Sequence, residues 1–452
     1  MQQPTENKLG VMPVNKLLLN MSLPMIISML IQALYNIVDS IFVAQIGEYA
    51  IRAVSLAFPI QSLMIALGAG TGVGINALLS RTLGERNREK ANHVAENGVF
   101  ACVACYVAFA LLGVLAARPF MNSQTDVLEV REYGVTYLII CCAGSIGIFM
   151  EFAFERILQS TGRSLYTMFT QGLGAITNII LDPILIFGLF GAPKMGIAGA
   201  AAATVIGQIL GAIFAILLNH YRNTDVTLRL RGFRPRMRII REIYQVGAPS
   251  IVMQAIGALM SFGMNLILVP FGIAQTVFGL YYKLQSFVFM PVFGLNNGMV
   301  PIVAYNYGAG KRARVLHTIR LSMICAVSMM AAGTLAFELF PAQLLGMFNP
   351  TPELLIMGVP ALRILAIPFI FAGFCIVCSS VFQALGNGLY SMYTSLARQL
   401  FVLLPSAYLL SLTGNINLIW LSFPIAELVS LALSLFFYAR INRKIISTIR
   451  QG

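Results

Sequence analysis

Two carboxylates stand in stretches where carboxylates are rare. Asp39 closes the apolar run Tyr35-Asn36-Ile37-Val38-Asp39, and Asp182 lies in Asn178-Ile179-Ile180-Leu181-Asp182-Pro183. Tyr35 and Asn178 each precede their aspartate by four residues, so on helices they share its face. Thr204 reaches a similar depth along the next apolar run. Two carboxylates, an amide oxygen and a hydroxyl converging in low dielectric bind a proton or a hard cation such as Na+. Pro183 removes a backbone donor beside Asp182, which leaves a carbonyl free to coordinate. The plainer alternative is a hydrogen-bond network that only ties helices together.

The elements that position these groups follow from composition. Of the 452 residues 58% are hydrophobic and 10% charged, with a mean hydropathy of +0.81. Soluble domains carry about 25% charged residues, so a cytosolic enzyme, a disordered chain and a secreted disulfide scaffold are all excluded. A spanning helix needs about 20 mostly apolar residues. Twelve such runs can be read, at 17–45, 53–80, 95–117, 133–156, 165–190, 196–219, 243–270, 276–304, 320–341, 354–383, 390–412 and 416–438. The expected fold is therefore an all-α integral membrane protein of twelve transmembrane helices. No cleavable signal peptide is visible, residues 1–14 being polar.

The net charge of +13 is a topology signal and not a nucleic-acid surface. Arg222, Arg229, Arg231, Arg234, Arg236, Arg238 and Arg241 crowd one connection, and Arg81, Arg86, Arg88 and Lys90 another. Lys311, Arg312, Arg314 and Arg320 mark a third, with Arg440, Arg443, Lys444 and Arg450 at the tail. The alternate loops hold only Arg52, Arg118, Arg131 and Lys194. The positive-inside bias places both termini and the Arg-rich connection in the cytoplasm.

The halves resemble each other. Aligned 224 positions apart, Gln61-Ser62 pairs with Gln285-Ser286, Gly70 and Gly74 with Gly294 and Gly298, and His93 with His317. Gln159-x-x-Gly162-x-x-x-Tyr166 likewise pairs with Gln383-x-x-Gly386-x-x-x-Tyr390. Matched loops are basic in both halves, so the repeat is parallel, about an axis along the membrane normal. Residues 1–219 form one six-helix bundle, 220–242 the cytoplasmic Arg-rich linker, and 243–452 the second bundle and tail. Two facing bundles suit rocking about a central cavity, which points to a transporter.

The acids are unequally shared. No Asp follows Asp225, and neither Asp39 nor Asp182 has an acidic counterpart in the second half. Acids needed by the bundle itself would recur in both. Glu151 and Glu155 share a helix face, with Arg156 and Arg163 near enough in sequence for a solvated ion pair, and a functional role stands beside that reading. Lys283, Arg363, Arg398 and Glu427 lie within apolar runs, where mutual pairing would account for them. The seven cysteines read as apolar packing, Cys375-x-x-Cys378 included. His93, His220 and His317 fall in polar segments, so neither a metal cluster nor a nucleophile–base pair is expected inside a span, and the chain does not read as an enzyme.

With these motifs the chain resembles the multidrug and toxic compound extrusion (MATE) family over essentially its whole length. The likeness rests on Ser22-Leu23-Pro24, the Tyr35–Asp39 and Asn178–Pro183 motifs, Gln159-x-x-Gly162 and Gly196-Ile197-Ala198-Gly199-Ala200-Ala201. Tyr282-Lys283-Leu284-Gln285-Ser286 and Asn296-Asn297-Gly298-Met299-Val300-Pro301 are most similar to the MepA-like branch. The resemblance implies a V-shaped pair of bundles and a cation-coupled (H+ or Na+) antiporter exporting lipophilic, often cationic, compounds by alternating access. It implies coupling at Asp39, Asp182, Asn178, Tyr35 and Thr204, and Gln159, Gln254, Lys283, Gln285, Gln383 and Glu427 are the polar residues expected at a substrate cavity. No cofactor beyond the coupling ion is expected, and no nucleic acid. The expectation is a monomer in a bacterial inner membrane. Two positions depart from relatives: Phe152 replaces a fourth-span Asn, and Gly257 a seventh-span Glu, with Gln254 the nearest polar group. Coupling is therefore expected in the first half. A lipid-linked glycan flippase is the alternative, disfavoured by the scarcity of cations within the spans.

Overall fold

A computed structural model describes residues 6–229 and 233–449; Arg231 and Arg450 lie outside the described residues. Among these residues there are helices and no strand, as expected where each backbone group must be satisfied within its own segment. Nine helices are long and apolar enough to span a membrane, and two bent pairs supply two more. Together with the broken helix over 388–411, which falls short of that length, they make twelve, numbered here in chain order. The first six are α1 (Val14–Ile46), α2 (Glu48–Gly84), α3 (Arg88–Gln124), α4 (Leu128–Ala143 with Ile146–Ser160), α5 (Ser164–Phe187) and α6 (Ile197–Arg222). The second six are α7 (Met237–Leu268), α8 (Ala274–Gly308), α9 (Arg312–Leu339), α10 (Pro352–Ala366 with Phe369–Ala384), α11 (Gly388–Leu396 continuing to Ser411) and α12 (Ser422–Ile441).

Breaks within spans have local causes. The two pieces of α4 meet at 42° across Gly144-Ser145, and those of α10 at 46° across Ile367-Pro368; small residues and proline are the usual kink sites. Within α11 the backbone widens into a π-helix over Ala397–Leu403, just ahead of Pro405. The Gln-x-x-Gly motif proves to be a helix stop. Gly162 and Gly386 take φ of +85° and +80°, which only glycine adopts at little cost, and Arg163 and Asn387 donate back to the carbonyls of Leu158 and Phe382.

Contacts divide the chain into two compact units. The first holds Ile27–Ile251 with the described residues before Leu9; the second holds Leu9–Ile26 with Val252 onward. The first eighteen residues of that second unit thus precede the linker in sequence, and the opening of α7 belongs to the first unit. Glycines on the second span of each repeat make this possible. In the first unit a Cβ on Gly70 or Gly74 would stand 2.4 Å from Ile251 Cγ1 or 2.2 Å from the Ile243 carbonyl oxygen. In the second unit, Gly294 and Gly298 meet Ile26 Cα at 2.6 Å and Ser22 Oγ at 2.4 Å on the same measure. The four glycines paired by the repeat therefore perform one task, letting a neighbouring helix lie against bare backbone.

In the first unit the Arg-rich connection is tied to α3. The backbone N–H groups of Thr227, Arg229 and Arg236 donate to Asn92 Oδ1 (2.8 Å), Glu96 Oε1 (2.9 Å) and Asn97 Oδ1 (2.7 Å). In the second unit, Arg314 donates to the carbonyls of Leu9 (3.1 Å) and Met12 (2.6 Å), and Asn306 to that of Leu9 (2.9 Å). The seven cysteines are free thiols.

Candidate functional site

The first unit brings Asp39, Asp182, Asn178 and Thr204 together. Asp182 is fully buried on α5 and Asn178, one turn earlier, is 2% exposed. The Asn178 amide is best satisfied with its nitrogen 3.2 Å from Asp182 Oδ2 and its oxygen accepting from the hydroxyl and backbone N–H of Thr204, each at 3.3 Å. The Asp39 side chain, from α1, lies against that of Asp182. Its Oδ1 is buried without a partner. Tyr35 lies within electrostatic reach of both aspartates.

Backbone packing sets this geometry. A Cβ on Gly207 would come within 2.7 Å of the Gly174 carbonyl oxygen, so α5 and α6 touch along their backbones one turn from Asn178. That contact carries Thr204 against Asn178. Pro183 stands inside α5 and leaves the carbonyl four residues before it without its usual donor.

Two further residues belong to the surroundings. Tyr137 on α4 is 3% exposed and lies within electrostatic reach of Asp39; Gln61 on α2 donates to its hydroxyl at 2.9 Å. Gln61 had a signal, its recurrence as Gln285, which reads equally well as a mere mark of the repeat. Tyr137 had none.

A hydrogen bond between two carboxyls exists only while one of them carries the proton. The pair can therefore hold one H+ between two oxygens, with Asn178 stabilising the form that has lost it. Among the described residues no three His, Cys, Asp or Glu side chains are grouped to hold a metal ion.

Glu155 differs from the solvated ion pair expected of it. It is 2% exposed and accepts from Thr170 Oγ1 at 2.6 Å and Gln171 Nε2 at 2.9 Å. Arg156, 8% exposed, donates to Gln159 Oε1 at 3.0 Å. Arg163 turns instead to Asp225 beyond the end of α6. The reason is reach: α5 begins beside the connection, so Arg163 meets the acid there before it meets α4.

The expected cavity residues do not gather into one hydrogen-bonded set. Gln159 is 1% exposed in the first unit, committed to Arg156. In the second unit Gln254 and Lys283 are exposed, the Lys283 ammonium lying 6.0 Å from the centre of the Phe348 ring. Gln285 is half-buried, and Gln383 donates to Met253 Sδ at 3.7 Å. Glu427, 5% exposed, pairs with Arg398 at 3.1 Å. Arg398 stands in the π-helical stretch of α11, a feature with no counterpart in the sequence pattern.

Eleven spans of sufficient apolar length and a twelfth, shorter one, in two repeats with Asp39 and Asp182 paired in the first, define a polytopic membrane protein of the transporter type. A sequence model of the MatE family matches residues 24–184 and again 249–409, so the repeat is one module used twice, and the chain belongs to the MatE family. It is 26% identical over 436 residues to the multidrug export protein MepA of Staphylococcus haemolyticus, covering 95% of this chain and 94% of that one. MepA of Staphylococcus aureus (strain MRSA252) is 26% identical over 448 residues, 96% of each chain. Among solved structures, a MATE transporter in complex with MaL6 matches with a TM-score of 0.91 at 26% identity over 99% of both chains. A MOP-superfamily transporter from Pyrococcus furiosus, described as having a binding pocket of reversed polarity, gives 0.91 at 25% identity over the whole of both.

Proposed function

We propose that the chain is a proton-coupled antiporter that exports lipophilic cationic compounds across a bacterial cell membrane, with both termini in the cytoplasm. The observation that carries this reading is the pairing of the Asp39 and Asp182 side chains beside Asn178 and Thr204. A Na+ ion held there would want several oxygen ligands, whereas one proton suffices to join two adjacent carboxyls, and H+ is the ion proposed on that ground. Support for the cargo comes from the MepA relatives, which are named multidrug export proteins. Support for the orientation comes from the basic connections.

A proton arriving from outside joins the two carboxyls and lowers their charge, which weakens the hold of the outward-open state on a cationic compound. The compound leaves, the units return, and the proton is given up to the cytoplasm. Exchange requires only that proton and cargo favour different states. For one-to-one exchange, a pH step of one unit sustains at most about a tenfold cargo gradient.

The test uses purified protein in proteoliposomes with ethidium as cargo, driven by a pH step and, separately, by a Na+ step. Export on the pH step alone is expected, lost in Asp39→Asn and Asp182→Asn while both variants stay folded and still bind ethidium. Unchanged export in Asp39→Asn would sink the reading; export on the Na+ step alone would replace the ion. A lipid-linked glycan flippase remains the second reading, favoured if ethidium neither binds nor moves.

A further inference from the structure

The polar groups of the first unit do not stop at the acid pair. On α5 the residues at 182, 178, 174, 170 and 167 recur every three or four positions and so form one stripe down the helix. Opposite them on α6 stand Thr204, Gly207 and Gly211. The seam between the two helices is narrow at its glycines, and one side chain of α4 enters it there. A Cβ on Gly211 would stand 2.8 Å from Glu151 Oε1, and one on Gly174 3.8 Å from the same atom. The Glu151 carboxyl thus occupies the notch that two missing side chains leave open. One turn along α4, Glu155 is held by Thr170 and Gln171 of the same stripe. Thr167, one turn further, is fully buried with its hydroxyl unpartnered.

At the other end Tyr35 closes the line. It lies one turn from Asp39 on α1, and the ionised groups it feels are Glu151 first, then Asp39 and Asp182. A tyrosine hydroxyl both donates and accepts, so it can receive a proton from one carboxyl while passing its own to another.

We propose that Tyr35, Glu151 and Glu155 form the path by which the coupling proton leaves the Asp39–Asp182 pair for the cytoplasm, with Glu151 a second proton-holding site upon it. The proposal rests on the proton-coupled reading above. From Asp182 to Thr170 the stripe covers twelve residues, about 18 Å of helix rise, a distance no direct transfer between carboxyls crosses. A protonated aspartate hands its proton to the Tyr35 oxygen as the tyrosine proton moves to the Glu151 carboxylate. Glu151 then passes a proton to Glu155, and Glu155 to water at the Ser164 end of α5. Each group returns to its starting state, and nothing is oxidised or reduced.

The charges around this path are few. Glu155 is the charged neighbour of Glu151, and Arg156 offsets Glu155 from the same helix. Tyr35, on α1, is within electrostatic reach of Glu151, and α5 contributes Asp182 two turns away. On α6 the basic residues His220 and Arg222 sit in the last turn, at the end where the path would open. A purely structural tie would explain Glu155, whose oxygens both have donors. It does not explain a second acid placed in a notch of glycines.

The experiment compares wild type, Asp39→Asn, Glu151→Gln, Glu151→Asp and Gly211→Ala in full-length protein in proteoliposomes. Ethidium export on a pH step is read beside ethidium Kd and melting temperature. Glu151→Gln is expected to slow export at least tenfold, with Kd within twofold of wild type and melting temperature unchanged. Glu151→Asp should restore part of the rate with a displaced pH profile, and Gly211→Ala should slow export by crowding the carboxyl. Export by Glu151→Gln at the wild-type rate would overturn the path. So would a loss of export matched by a loss of ethidium binding, which would make Glu151 a cargo ligand. Failure of the underlying reading looks different, because wild type itself would then ignore the pH step.

Discussion

Replacing Arg398 by leucine should strand the Glu427 carboxylate, and the cost can be worked out from the geometry. The pair is 3.1 Å apart, and the Glu427 side chain is 7% exposed against 30% for Arg398. At that distance the attraction is about 5 kcal/mol for an effective dielectric constant near 20, most of it offset by the desolvation of both ions. Removing one partner leaves the other's desolvation uncompensated, typically about 3–5 kcal/mol. Glu427 Oε1 is already buried without a partner, so no spare contact softens the loss. Arg398→Leu should therefore melt well below wild type, as followed by thermal unfolding in detergent. The double variant Arg398→Leu/Glu427→Leu should regain most of the stability, because a buried pair replaced by apolar side chains is close to neutral. If the pair only ties α11 to α12, the double variant still exports ethidium. Wild-type stability in Arg398→Leu would refute the electrostatic reasoning, and a stable double variant without export would make the pair part of transport.

Some of this was legible in the sequence and some was not, for reasons that can be named. The spans follow from apolar length alone, because a bilayer leaves the chain few other ways to satisfy its backbone. Asp39, Asp182, Asn178 and Thr204 were legible because four-residue spacing and equal depth are properties of single helices. The pairing of the two aspartates depends on how α1 and α5 approach, which no local spacing records. Of the two readings open for Glu155, the solvated ion pair fails for the same reason: Arg163 is near it in sequence, yet pairs with Asp225, which no local pattern indicates. The repeat showed that Gly70 and Gly74 answer Gly294 and Gly298, but equivalence does not say what packs on them. The opening of α7 lies on the first pair and that of α1 on the second, a packing that arises only in three dimensions. The π-helical stretch carrying Arg398 was invisible, since one extra residue in a turn leaves an all-apolar pattern unchanged.

Two further predictions concern packing. Arg163→Ala removes the contacts to Asp225, Asn223 Oδ1 (3.2 Å) and Thr224 Oγ1 (3.3 Å) that hold the start of the Arg-rich connection. Being part-exposed, they should be worth about 1 kcal/mol, read as faster tryptic cleavage at Arg229; an unchanged rate would refute the tether. Gly74→Ala tests the helix contact in the first unit. Its Cβ would stand 2.2 Å from the Ile243 carbonyl oxygen, an atom of backbone that no rotamer change can withdraw, whereas a Cβ on Gly172 meets nothing within 4 Å. Alanine in a helix is itself favoured over glycine by up to about 1 kcal/mol, so the comparison must be between the two variants and not with wild type alone. Gly172→Ala should match or exceed wild type in melting temperature, while overpacking should leave Gly74→Ala about 1–3 kcal/mol less stable. Equal stability of the two would mean that α2 and α7 can part by an ångström without cost, and the glycine pairs of the repeat would then need another explanation than close backbone approach.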